Sequence, residues 1–123
     1  MIKIGYVIIP AMLIFLQSIF FCCSDNKEAL KVNKDAAAAY NCESGAEIKA
    51  EYYSLSDNSL HFVKIIMPDG KRYTLPQIVS ASGARYTDER EIEWWIKGDS
   101  AMIKGHSENG NWTDIYYKCE VAK

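Results

Sequence analysis

Histidine is scarce in this chain: two residues among 123, His61 and His106. Neither lies in a recognisable nucleophile motif. His61 sits inside an apolar run, His106 in the turn between Gly105 and Gly110, and Ser82-Gly83-Ala84 is not a nucleophile elbow, so a serine-hydrolase reading has no base to support it. Two scattered histidines make no metal set either, and neither metal nor cofactor is expected. No glycine-rich phosphate loop occurs. A basic stripe is also missing. With 14 Lys+Arg against 16 Asp+Glu the chain lacks the positive surface that phosphate binding demands, which excludes nucleic acid as a partner. Finally, no stretch beyond the N-terminus shows a sustained helical period, which points away from a helical fold.

What the chain does have is apolar and aromatic material. Hydrophobic residues make up 49%, with eight tyrosines, four phenylalanines and three tryptophans, enough for the core of one domain. Part of that excess is N-terminal. Residues 4–21 are uncharged and follow Lys3, a pattern of an export signal or an anchor, and residues 1–22 are read as a cleaved signal peptide. Cys22 and Cys23 close this run, and either is a candidate lipid acceptor, although Phe20, Phe21 and Cys22 fit a lipobox poorly. Without residues 1–22 the tally is 13 Lys+Arg against 16 Asp+Glu, a mildly acidic exported part. Residues 23–39 carry little that could bury a core and are read as a flexible tether. Cys42 and Cys119 bracket the rest, and in an exported chain they are expected to form a disulfide.

The domain expected over 40–123 is all-β. Ile48, Ala50 and Tyr52 alternate with Glu47, Lys49 and Glu51; residues 60–67 are rich in branched and aromatic side chains; and Pro68-Asp69-Gly70 and Asn109-Gly110 are hairpin signals. Residues 71–78 return, with Pro76 suggesting a break or an edge. Short strands at 85–87, 91–97, 100–104 and 112–119 follow. Such spacing means an antiparallel sandwich or a small barrel. In residues 91–97, Ile92, Trp94 and Ile96 share one face, while Glu91, Glu93, Trp95 and Lys97 share the other. The two glutamates, neighbours on one face, cannot flank a sugar bond from opposite sides and are read as a solvated face rather than a glycosidase pair. An outward tryptophan beside a lysine at a glycine turn has the composition of a recognition site, the alternative being a strand end with a snorkelling lysine.

Ser80-Ala81-Ser82-Gly83-Ala84-Arg85-Tyr86 followed by Trp95-x-Lys97-Gly98-x-x-Ala101 resembles the paired signature of the MliC/PliC family, bacterial envelope inhibitors of C-type lysozyme. The similarity runs from Tyr40-Asn41-Cys42 to Cys119. It implies a small antiparallel β-barrel of about eight strands stapled by one disulfide, no enzymatic activity, and a C-type lysozyme as partner. It also implies an envelope location: periplasmic, with an outer-membrane lipid anchor at Cys23 or Cys22 the only membrane attachment. Carried over by position, Ser82 would hydrogen-bond one catalytic carboxyl of the lysozyme and the Lys97 ammonium would pair with the other. Gly83 and Gly98 would shape the two turns, and Arg85, Tyr86 and Trp95 would be supporting or rim contacts. A homodimer is left open. The rival function is an envelope lipoprotein whose barrel binds a small ligand or another envelope protein.

Overall fold

The computed structural model describes residues 28–123; the expected signal peptide, with Cys22 and Cys23, lies outside the described residues. Eight strands follow in chain order: β1 (Val32–Asn41), β2 (Glu47–Leu55), β3 (His61–Ile66), β4 (Arg72–Ile78), β5 (Ala84–Thr87), β6 (Ile92–Lys97), β7 (Ser100–His106) and β8 (Trp112–Val121). Each pairs antiparallel with the next and β8 returns to β1, closing an up-and-down barrel. The expected hairpin turns fall in place: Met67 N–H donates to the Lys71 carbonyl across Pro68-Asp69-Gly70, and Ser107 N–H to the Asn111 carbonyl across Asn109-Gly110, both at 2.8 Å. β4 runs through Pro76, which lies opposite Phe62, and its ladder with β5 begins only beyond it, at Gln77 and Ile78.

Alternation along the strands sends one set of side chains into the bore. Ile48 and Ala50, Val63 and Ile65, Leu75, Ile92 and Trp94, and Ala101 and Ile103 are buried there. Each large apolar side chain so buried contributes roughly 1.5–3 kcal/mol over leaving it in water. An eight-stranded barrel is just wide enough for side chains to fill, and here they do. Trp94 has no exposed surface, with the Tyr40 ring edge-on at 5.0 Å. Its indole N–H donates to the Tyr52 hydroxyl at 3.0 Å, and that hydroxyl also meets the Tyr40 hydroxyl at 3.0 Å. Burial, chiefly, pushes the Tyr52 phenol far above its ordinary range. A bore filled with apolar side chains is unlike the polar interior of a membrane-spanning barrel.

The closing joint is short. β1 pairs with β2 from Val32 onward but meets β8 only through Tyr40↔Val121 and Asn41↔Glu120, flanked by two further bonds, from Ala122 N–H to the Ala39 carbonyl and from Glu43 N–H to the Tyr117 carbonyl. The Cys42–Cys119 disulfide lies at the same joint. Strand tilt in a closed barrel displaces the last strand along the first, which is why so little of either is shared.

Two expectations need correction. Residues 32–39 are not part of a tether: they form most of β1. Their alanines bury little, and it is the backbone ladder with β2, reinforced by Lys34 to Glu51 at 2.8 Å and the Ser54 hydroxyl donating to Asp35 at 2.9 Å, that makes them a strand. Glu93, read as part of a solvated face with Glu91, is buried. It points outward, but the Arg85 side chain closes over it, donating from Nε at 3.2 Å and from Nη2 at 2.7 Å.

Candidate functional site

The two sequence motifs meet on adjoining strands. β5 pairs with β6 through Ala84↔Ile96, Arg85↔Trp95, Tyr86↔Trp94 and Thr87↔Glu93. Their connection is pinned by Asp88, whose Oδ1 accepts the N–H groups of Arg90, Glu91 and Ile92 at 3.0, 2.9 and 3.2 Å. Burial alone would raise this carboxyl; the backbone donors outweigh it and hold it below its ordinary value. On the other side of β6, Lys97 pairs with Ser100, leaving Gly98 and Asp99 as a two-residue hairpin loop. Gly98 has φ of 57° and Asp99 is not among the positive-φ residues, the pattern of a type II′ turn, which places Lys97 at its base.

The bend before β5 lies against this turn. Gly83 has φ of 66°, and a Cβ built on it would collide with the Ile96 carbonyl oxygen and come within 2.8 Å of Lys97 Cγ. Only a residue without a side chain lets the Ser82–Gly83 backbone rest there. The Ser82 carbonyl accepts the Trp95 indole N–H at 3.0 Å and the Ser80 hydroxyl at 2.6 Å. Ser82 and Lys97 are both exposed.

Trp95 faces outward and is half-buried beneath cations. The Lys97 ammonium stands 4.3 Å from its ring centroid, the Arg85 guanidinium carbon 5.2 Å and the Lys104 ammonium 5.5 Å. Arg85 is committed to Glu93, whose hydrogen bonds raise the guanidinium pKa further. Lys97 and Lys104 form no ion pair with any carboxylate among the described residues. The result is a small positive, aromatic-backed projection on a chain of net negative charge.

Of the seven residues singled out from sequence, Ser82, Gly83, Arg85, Trp95, Lys97 and Gly98 come together on this surface. Tyr86 does not. It points into the bore, 7% exposed, with its ring 5.7 Å from Tyr52, so support from beneath is the only part it can take. Lys104 was not anticipated. The two-residue loop at Gly98-Asp99 sets the register Glu93↔Lys104, and this puts Lys104 diagonal to Trp95 on the same face. Counting back from that turn would have found it.

The family model described as membrane-bound lysozyme-inhibitor of c-type lysozyme, MliC, matches residues 40–112. The chain belongs to the MliC family. Among relatives, the membrane-bound lysozyme inhibitor of C-type lysozyme from Pseudomonas aeruginosa is 36% identical over 75 residues, 61% of this chain and 57% of that protein. The inhibitor of the same name from Cupriavidus necator is 32% identical over 85 residues, covering 69% and 65%. The matched part thus spans less than two thirds of either relative. The crystal structure of Pseudomonas aeruginosa MliC in complex with hen egg white lysozyme aligns over 99% of both chains with a TM-score of 0.54 and 19% identity, a likeness of fold.

Proposed function

We propose that this MliC-family domain inhibits C-type lysozyme by presenting the Ser82–Gly83 bend and the Lys97–Gly98 turn together to the enzyme's cleft, shielding bacterial peptidoglycan. The observation that carries this reading is the contact between the two motifs: Ser82 and Lys97, the latter in no ion pair among the described residues, stand exposed on backbone segments that touch. A lysozyme cleft holds two carboxyl groups, one protonated and one ionised, across a groove shaped for sugar. A slim ammonium on a four-carbon stem can reach the ionised one, and the serine hydroxyl can donate to or accept from the other. Inhibition is by occupancy, with no bond made or broken. The relatives' names speak of lysozyme inhibition and membrane attachment. By the same reading this chain works in the cell envelope, exported by residues 1–22 and tethered to the outer membrane through a lipid on Cys23, or on Cys22 where the signal peptide ends one residue earlier.

The filled bore speaks against the rival reading of a ligand-carrying barrel, since Trp94 and its neighbours occupy the space a small molecule would take. Turbidity loss of a cell-wall suspension treated with C-type lysozyme tests the proposal. Wild-type chain should suppress it, and Lys97→Ala should do so at least about thirtyfold more weakly, because the opposing carboxylate is left desolvated without a partner. Ser82→Ala should cost less, about 1–2 kcal/mol. Equal inhibition by Lys97→Ala and wild type would overturn the site assignment.

A further inference from the structure

We propose that Trp95 is the positioning residue that couples the two turns into one preformed unit, acting on a partner through Ser82 and Lys97 rather than by its own contact. The inference rests on the inhibitor reading and deepens it. Its grounds are one hydrogen bond and the cation–π contacts of one side chain, of which those to Lys97 and Arg85 matter here. The indole N–H holds the Ser82 carbonyl at 3.0 Å, which fixes the bend. The ring face carries the Lys97 ammonium at 4.3 Å, which restrains a long side chain with many rotatable bonds. The ring is itself kept in place by Arg85 at 5.2 Å, and Arg85 is locked by its two hydrogen bonds to Glu93. The chain of restraint therefore runs from a buried carboxylate, through guanidinium and indole, to the exposed serine and lysine.

Without the indole, the bend and the turn are still linked by the Ala84↔Ile96 ladder pair and the close seat of Gly83 on Ile96 and Lys97, neither of which restrains the Lys97 ammonium. A free lysine loses more side-chain entropy on being fixed than most residues, so a lysine already restrained binds more tightly for the same final contact. The geometry also accounts for why a tryptophan stands here and not another aromatic. Phenylalanine offers the ring face without the donor, and tyrosine places its donor at the far end of the ring.

The test is a set of double-mutant cycles in the full chain, with inhibition of C-type lysozyme as the readout. Trp95→Phe, which keeps the ring and removes the N–H, should weaken inhibition about fivefold to tenfold; Trp95→Leu, which removes both, about thirtyfold. In a Ser82→Ala, Lys97→Ala background Trp95→Leu should cost less than about threefold more, because the groups it positions are gone. Full additivity would show that Trp95 touches the lysozyme itself or acts through general stability, and would overturn the proposal. A second readout needs no lysozyme. Proton NMR of the free chain should show the Lys97 side-chain methylenes shifted upfield by the indole ring current, and Trp95→Leu should return them to ordinary lysine positions. Unshifted methylenes in the wild type would equally overturn it. If wild type fails to inhibit any C-type lysozyme while the ring-current shift is present, the inhibitor reading falls and the coupling of the two turns stands.

Discussion

Gly83 and Gly98 both adopt left-handed backbone, at φ of 66° and 57°, yet replacing each by alanine should have very different consequences. An L-residue in that conformation costs about 1–2 kcal/mol. Stiffening the unfolded chain returns about 0.4–1 kcal/mol. At Gly98 nothing lies within 4 Å of the new methyl, so Gly98→Ala should lose only the difference, about 0.5–1 kcal/mol. At Gly83 the methyl meets a backbone carbonyl of β6, which cannot swing aside as a side-chain tip can, and also Lys97 Cγ and the Trp95 indole nitrogen. Overpacking of this kind adds about 1–3 kcal/mol, for a total of about 2–4. For a domain of this size each kcal/mol moves the midpoint by about 4–8 °C. Thermal unfolding followed by circular dichroism should therefore show Gly98→Ala within several degrees of wild type and Gly83→Ala lower by about 10 °C or more. Equal losses in the two variants would refute the claim that the Ser82–Gly83 bend is seated on β6.

Replacing Cys42 and Cys119 together by serine reopens a loop of sequence separation 77, worth about 4.5 kcal/mol on the chain-entropy account, and the unfolding free energy of wild type extrapolated from urea titration should fall by a similar amount under dithiothreitol. Glu93→Gln should cost about 1–2 kcal/mol in urea unfolding; the figure is below that of a fully buried pair because Arg85 keeps 31% of its side-chain surface in water. Asp88 binds its proton less readily folded than unfolded, so its contribution is complete above the ordinary aspartate value of 3.8 and disappears as pH falls through the lower folded value. Asp88→Asn should accordingly flatten the acid limb of the stability profile below about pH 4, measured as Tm against pH.

Much of the barrel could be read from the chain because its turns are chemically marked and its strands alternate. Ile92, Trp94 and Ile96 announced the inner face of β6, and Pro68-Asp69-Gly70 and Asn109-Gly110 announced two hairpins. The failures share a cause, which is that register between strands is not written in either strand alone. β1 escaped notice over residues 32–39 because four alanines have neither the bulk nor the alternation of a strand, and the ladder with β2 does what their side chains do not. Glu93 looked solvated because nothing local says that Arg85 lies across from it. In a strand as short as β5, the inward turn of Tyr86 is decided by its pairing with Trp94 rather than by any periodicity of its own. The nearness of the two motifs in the candidate site was legible because both carry their own turn residues, while the indole between them was legible only as an outward aromatic.

The joint between β1 and β8 has a consequence for when the protein becomes itself. Two ladder pairs, two flanking backbone hydrogen bonds and a sulfur bridge complete the circle, and the halves of that bridge lie just after the first strand and within the last. No partial product can be sealed: the first strand must wait, with its partner side open, until the final residues arrive. Where thiols are kept reduced, the circle lacks its fastening, so the surroundings decide whether the ring is locked.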